Sequence, residues 1–472
     1  MNKSMRDLLT LLEDCLAIED GKAQVKDAAR LRETIYLLAE VSALESGERQ
    51  DLARYLTRLT ALACGVFPSS INDLYLARGR EEVPYNFTVP AINLRALSYE
   101  AARAVFRVAN QIDAGAFIFE IARSEMGYTD QRPSEYATNI LAAAITEGFR
   151  GPVFIQGDHF QVSAKRYASD GESEVQTLKD LTAEAIQAGF FNIDVDTSTL
   201  VDLSKDTISE QQRLNSQLSA MFTGFIRSRE PEGVTVSVGG EIGEVGGQNS
   251  TEPELRAYMD GYTEELEKQA PGATGLSKIS IQTGTSHGGV VLPDGTIKEV
   301  SVDFETLKKL SRIARLEYGM AGAVQHGAST LPEEAFGKFP EFEACEVHLA
   351  TNFQNILFDH LPQDLKREMY AFLDENFSGE RKPGQTDEQF YYKTRKQAIG
   401  PFKAQTWKMD ASKKAEIGET WEKQFRKLFD LLNVKGTRDY VSQSIEPAPI
   451  RPALKDYLGS AAVEEDVSDL AD

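Results

Sequence analysis

Cysteine is scarce in this 472-residue chain: Cys15, Cys64 and Cys345 stand far apart, with no CxxC spacing. That excludes a disulfide framework and a thiolate zinc site, and it suits a reducing compartment. Long apolar runs are missing as well, so no stretch is expected to span a bilayer. The opening MNKSMRDLLTLLEDC scatters acids among its leucines instead of forming a secretory signal core, and cytoplasmic residence is the expectation. Positive charge is in short supply: 51 Lys and Arg against 73 Asp and Glu leave a net charge of −22. Wrapping nucleic acid or lying on an anionic membrane is therefore not expected. A small anionic ligand would need its own nest of N–H donors or cations, set against the overall field. Internal repeats and low-complexity tracts are absent, and the 41% hydrophobic fraction is ordinary for a globular protein. Histidine occurs only five times, which makes the placing of each one informative.

Residues 1–80 read as helices: Met5, Leu8, Leu12 and Leu16 share one face, Leu31, Ile35 and Leu38 another, and Leu52, Leu56, Leu59 and Ala63 a third. A helical extension packed on the main domain or on a second subunit is expected there. From residue 85 the pattern changes to short β-rich runs: FTVPAINL (87–94), AFIFEIA (116–122), PVFIQGDHF (152–160), FFNIDVDT (190–197), VTVSVGGEIG (234–243), SKISIQTGT (277–285), GAVQHGAST (322–330) and FEACEVHLAT (342–351). Helical stretches such as 98–112, 134–149, 210–227, 252–268 and 304–318 lie between them. Strand–helix alternation with nearly continuous apolar strands implies a parallel sheet covered by helices, and eight such units fit a (β/α)8 TIM barrel over residues 81–360. A doubly wound open sheet is the runner-up, but no GxGxxG follows the first strand. Residues 361–458 read as a helical C-terminal extension, broken at Lys382-Pro383-Gly384 and Gly400-Pro401. Tyr391, Tyr392, Lys393, Arg395 and Lys396 interleave aromatics with cations there; in so acidic a chain, packing is the reading rather than nucleic-acid binding. The acidic tail, residues 459–472, is expected to be disordered.

Three of the five histidines end the third, sixth and seventh strands: His159 in GDHF, His287 in GTSHGG and His326 in QHGAST. In a closed barrel those ends share one rim, and three neutral imidazoles leave a position open for a substrate oxygen on a divalent cation. Carboxylates stand at similar places: Asp158 beside His159, Asp194 and Asp196 ending the fourth strand, Glu241 and Glu244 at the fifth. Each such acid can hold an imidazole's second N–H, ligate the metal or move a proton; a helix cap or solvated loop residue is the bland alternative. Glycines directly after two of the histidines, Gly288-Gly289 and Gly327-Ala328-Ser329, let backbone N–H groups approach an anion.

Taken in order, these strings resemble the class II, metal-dependent ketose-bisphosphate aldolases of the fructose- and tagatose-bisphosphate types, over roughly residues 85–360. FTVPAINL is similar to the family's first-strand VPAFN pattern, with Asn93 in place; GDHF matches its Asp-His motif; GFFNIDVDTSTL matches its GF…IDxS segment; EIGEVGG resembles its ExGxxGG signature. The resemblance implies zinc or another divalent cation on His159, His287 and His326, with Glu241 and Asp196 as the family acids near it, and leaves a second cation open. It implies Asp158 as the catalytic acid that activates the aldehyde, and reversible cleavage of a ketose (bis)phosphate or related anionic sugar to dihydroxyacetone phosphate and an aldehyde through a zinc-stabilised enediolate. Asn93, Gly288, Gly327, Ala328, Ser329, His348 and Thr351 are the implied substrate and phosphate contacts, and a homo-oligomer acting in carbohydrate metabolism is expected.

The departures fall at the other end of the site. Gly247-Gln248-Asn249 lacks the carboxylate that the family uses to move the carbon proton, leaving Glu252, Glu254 or another group to serve. Val291 stands in HGGVV where a lysine near the phosphate is usual. In place of the eighth strand's KxNxDTD the chain has Glu346, His348, Ala350, Thr351 and Asn352. Two alternatives stay open on these grounds: a non-catalytic or regulatory aldolase-like subunit, and another metal-dependent lyase or isomerase on the same barrel.

Overall fold

The computed structural model describes residues 3–243, 248–284, 302–328, 331–459 and 470. Eight parallel strands close into a barrel: β4 (Val89–Asn93), β5 (Ile118–Ala122), β6 (Gly151–Gln161), β7 (Asn192–Asp196), β8 (Ser237–Glu241), β9 (Lys278–Ile281), β10 (Ala323–Gln325) and β11 (Glu346–Leu349). Each pairs with the next, β11 pairs with β4, and the ring is complete. This is the (β/α)8 barrel that the strand count implies, with helices covering its outside.

Those helices begin and end where local chemistry dictates. Thr207 with Glu210, and Thr251 with Glu254, form reciprocal capping boxes at the starts of Ile208–Arg229 and Glu252–Gln269. Ser163 and Asp303 cap the starts of Ala164–Ala188 and Phe304–Tyr318; Gly189 and Gly319, both left-handed, end them.

The N-terminal region holds the helices Lys3–Leu11, Ala28–Thr34, Tyr36–Leu44 and Glu48–Ala63, and also two features that helical periodicity hides. An antiparallel hairpin joins β1 (Leu16–Glu19) to β2 (Lys22–Val25) across Asp20-Gly21, whose φ values of 49° and 70° mark the two-residue turn that an Asp-Gly pair favours. A further strand, β3 (Val66–Ser69), lies parallel to the first residues of β6. It leads into the helix Asn72–Gly79, which closes the bottom of the barrel. Ile71, Leu74 and Tyr75 pack there against Val89, Ala91, Ile118, Phe154, Val324 and Cys345, with Val441 from the C-terminal part of the chain completing the plug.

After β11 the chain continues through Thr351–His360 and Gln363–Asn376 to the long helix Ala411–Leu431. That last helix lies against Ser98–Ile112 and Thr351–His360, and its buried Trp421 donates Nε1–H to the Phe353 carbonyl at 3.1 Å. A single apolar core runs through the N-terminal helices, the barrel shell and these C-terminal helices.

Candidate active site at the barrel mouth

In a regular strand Asp158 and His159 would point to opposite faces. Here the pairing of β6 with β7 slips between Gly157 and Phe160: Gly157 lies opposite Ile193 and Phe160 opposite Val195, so two residues face one. His159 takes a left-handed backbone, φ 40°, to make this bulge. Both neighbours then turn into the barrel, where both are buried.

His159 Nδ1 lies 3.2 Å from Asp196 Oδ2 and 3.4 Å from Glu241 Oε2, and its ring centroid is 4.4 Å from that of His326. Ligand atoms of His159, Glu241 and His326 lie within 4.8 Å of one another, as do those of Asp158, His326 and His348. His326 Nε2 meets Ser280 Oγ at 2.9 Å, a contact that fixes the plane of the ring. Asp196 accepts from Gln161 Nε2 at 2.7 Å and from Ser198 N–H and Oγ–H at 3.0 and 2.7 Å. It belongs to none of the ligand groups among the described residues; it stands behind the His159 ring and orients it. His287, Gly288 and Ser329 lie outside the described residues.

Charge is tightly coupled in this cluster. Burial opposes ionisation of Asp158, but His159 and His348 hold its carboxyl well below the usual range. Burial likewise opposes a positive His159; Asp158 and Glu241 outweigh it and hold the imidazole well above its ordinary value. The Glu241 carboxyl is pushed up to about 8, by burial first and Asp196 next. Two imidazoles and a carboxylate so placed suit a divalent cation such as zinc, which would displace the protons that now hold the carboxylates together.

Below the histidines lies a buried charged layer that joins Asp194, Glu346 and His348, all noted in the sequence, to Lys278, Gln156 and Glu120, which were not. Lys278, wholly buried, donates to Gln156 Oε1 at 2.7 Å, Asp194 Oδ2 at 2.9 Å and Glu346 Oε1 at 2.5 Å. The Tyr75 hydroxyl donates to Glu346 from beneath. His348 bridges upward: Nε2 is 2.6 Å from Glu346 Oε1, and Nδ1 is 3.1 Å from both Glu120 Oε2 and Asp158 Oδ1. Burial opposes its charge, but Glu120 and Asp158 hold it well above the imidazole's ordinary value. His348 is thus a cationic link between the buried layer and Asp158. A signal was present: polar residues recur at every second position in strands otherwise read as apolar, as in Gln156/Asp158, Asn192/Asp194/Asp196 and Lys278/Ser280.

The remaining expected contacts lie around the same rim. Asn93 ends β4 and donates Nδ2–H to Glu125 Oε2 at 2.6 Å. Gly327 has a left-handed φ of 66° directly after His326, and Ala328 is buried. Thr351, also buried, opens the helix after β11. The two acids weighed as replacements for the absent loop carboxylate are engaged elsewhere: Glu254 closes its capping box, and Glu252 pairs with Arg256 and Lys309. Asn249 Nδ2 donates to Asp303 Oδ2 at 3.4 Å.

Known proteins resemble this chain to different depths. No curated protein matches it in sequence. Among solved structures, a probable tagatose 6 phosphate kinase from Sinorhizobium meliloti 1021 shares 15% identity at a TM-score of 0.51, covering 78% of this chain and 97% of its own. Fructose-bisphosphate aldolase from Campylobacter jejuni shares 16% identity at a TM-score of 0.45, covering 79% and 97%. The fructuronate-tagaturonate epimerase UxaE from Cohnella laeviribosi shares 14% identity at a TM-score of 0.49, covering 89% and 90%. At the level of families, the match is to Fructose-bisphosphate aldolase class-II over residues 83–414, a span that takes in all eight barrel strands and runs beyond them. The chain belongs to the class-II fructose-bisphosphate aldolase family.

Proposed function

We propose that this protein is a metal-dependent aldolase that reversibly cleaves a ketose phosphate or related anionic sugar into dihydroxyacetone phosphate and an aldehyde. One observation carries the reading: the bulge in β6 delivers Asp158 and His159 together into the barrel, beside His326 and Glu241. His159, His326 and Glu241 would hold the cation, with His287 as a further ligand. When bound, a divalent cation polarises the substrate carbonyl and stabilises the negative charge that develops there.

The chain's own groups do the rest. Asp158 is held ionised by its two imidazole neighbours, so it can accept a proton from a hydroxyl and return it to an aldehyde oxygen. Asp196 and Ser280 fix the planes of His159 and His326. Backbone N–H groups around Gly327 and Ala328, with those at the start of the Thr351 helix, are the candidates for the phosphate. Asn93, anchored by Glu125, would orient a substrate hydroxyl.

Metal content by mass spectrometry, paired with a coupled assay over several ketose phosphates, tests the proposal. Bound zinc and cleavage of at least one ketose phosphate are expected. Protein purified without metal, and taking none up, would sink it. Bound metal with no cleavage would favour a different lyase or isomerase reaction; the observation on that side is His348, locked into the buried charged layer where the family has its asparagine.

A further inference from the structure

Six carboxylates on the barrel strands are buried: Glu120, Asp158, Asp194, Asp196, Glu241 and Glu346. Lys278 is the one lysine or arginine on those strands. Buried carboxylates need counter-charges, and Lys278 with one divalent cation at His159 and Glu241 supplies three against the six. Ligand atoms converge in three groups among the described residues. The uppermost, His159, Glu241 and His326, is the cation site proposed above. The lowest, Asp194, Glu346 and His348, already holds a cation: the Lys278 ammonium lies 2.9 Å from Asp194 Oδ2 and 2.5 Å from Glu346 Oε1. Between them stands the third, Asp158, His326 and His348.

His348 is held as a ligand would be. Glu346 Oε1 accepts from Lys278 and from Gln156 Nε2, so it is also the acceptor for His348 Nε2, 2.6 Å away, and a ring proton belongs on Nε2. A carboxylate that takes one imidazole N–H in this way leaves the other nitrogen to face a metal. That nitrogen, Nδ1, lies 3.1 Å from both Asp158 Oδ1 and Glu120 Oε2. Neither approach has the direction of a hydrogen bond. Nδ1 and Asp158 Oδ1 are buried atoms with no hydrogen-bond partner among the described residues, on side chains of residues only 5% exposed. A proton on Nδ1 would be aimed squarely at neither oxygen, and a cation would take its place. Donors about 2.0–2.2 Å from a cation stand roughly 3.0–3.5 Å from one another, which is the spacing of Nδ1 from each oxygen. The His326 ring centre lies 4.4 Å from that of His159 and 4.0 Å from that of His348, so the upper and middle positions adjoin. One imidazole nitrogen binds one cation; with His326 on the first, Glu120 takes its place beside Asp158 and His348.

We infer that Asp158 Oδ1, His348 Nδ1 and Glu120 Oε2 hold a second divalent cation, next to the one proposed at His159, Glu241 and His326. Asp158 keeps Oδ2 for its proton transfer, and two adjoining cations can clamp two oxygens of one substrate. The family's string has an asparagine where this chain has His348, so the donor set is this chain's own. Binding is read without turnover, and the second cation stands independently of the reaction proposed above.

The test strips full-length protein with a chelator and titrates it with zinc sulfate in a calorimeter, counting bound metal by mass spectrometry after gel filtration. Two equivalents per chain are expected for the wild type. His348→Asn is expected to weaken one of them more than about 100-fold, beyond what loss of an outer-shell partner costs, and to leave the other at its wild-type affinity. Glu120→Gln, which alters charge and hardly alters shape, should weaken the same equivalent. Metal-free melting temperatures of both variants separate a lost ligand from a lost fold. Titrated with Co2+ instead, the wild type should change its visible spectrum in two steps and His348→Asn in one. A single equivalent in the wild type, abolished in His159→Ala and untouched in His348→Asn, overturns the second cation and leaves the first standing. Two equivalents undiminished in both His348→Asn and Glu120→Gln overturn it as well. Two equivalents, one of them dependent on His348, in a protein that cleaves no ketose phosphate keep the second cation and remove the proposed reaction. Protein that takes up no metal removes both.

Discussion

His159 pays for its position. A left-handed backbone costs a residue with a Cβ roughly 1–3 kcal/mol, and the bulge persists because its surroundings over-determine it. Gly157 is one of those surroundings: a Cβ there would lie 2.4 Å from the ring of Phe160, the next residue to pair regularly with β7. Gly157→Ala should therefore destabilise the fold by about 1–3 kcal/mol through overpacking and also weaken metal binding, read by denaturation and by metal content after dialysis. Wild-type metal retention in that variant would show that the bulge does not depend on the glycine. Asp158→Asn should keep the cation at His159 and Glu241 and lose about 10²- to 10⁴-fold in turnover, whereas His159→Ala/His326→Ala should lose that cation itself. At this scale the sequence was informative about identity and silent about direction. GDHF and QHGAST name the right residues, but alternation in a strand puts Asp158 and His159 on opposite faces. Only the bulge reconciles them, and although Gly157 and Phe160 are the outer residues of GDHF itself, their packing against each other is not visible in the motif as a string.

At the scale of elements, the eight strands were legible because each is a β-branched or aromatic run between turn residues, and such runs need two covered faces. The hairpin at Asp20-Gly21 was not, because leucines at helical spacing on either side of it hid a two-residue turn. The cation at the centre of the charged layer was also missed: one lysine in the otherwise apolar SKISIQ carries no motif, and only closure of the ring turns it inward among Asp194 and Glu346. Lys278 is the keystone of that layer. Burial opposes ionisation of Glu346, but Lys278 and His348 draw its carboxyl down to about 2. A carboxylate depressed in the folded state adds stability above its ordinary value near 4.5, and that stability fades as pH falls towards about 2. Lys278→Met should leave buried acids uncompensated and cost about 3–5 kcal/mol in urea denaturation near neutrality. Its acid limb should also be flatter than that of the wild type. A variant of wild-type stability would mean that the layer reorganises around His348.

For the whole molecule, the balance between protons and metal decides how stability follows pH. Glu120 and Glu241 are both raised to about 8, chiefly by burial, and His159 is raised as well. The metal-free fold then holds more protons than the unfolded chain above the ordinary carboxylate range, so its stability falls as pH rises towards about 8. A cation held by His159 and Glu241 would take the place of those protons. The gain in melting temperature on adding zinc should therefore grow between about pH 5 and about pH 8. A gain that is constant across that range would remove these two residues from the ligand set. The family and the barrel could be read from ordered motifs in one sequence. The substrate could not, because the motifs at the metal end of the site are intact while those at the base and phosphate end, Asn249, Val291 and the Glu346–Asn352 string, are altered.

The plug under the barrel has a consequence for isotopes. Tyr75 and its apolar neighbours close the lower end, so water reaches the charged layer chiefly from the mouth. A substrate seated across the mouth would close that route. Hydrogen taken from the substrate's carbon would then return to the same molecule before it mixed with solvent, and a deuterium label placed there would survive many turnovers in ordinary water.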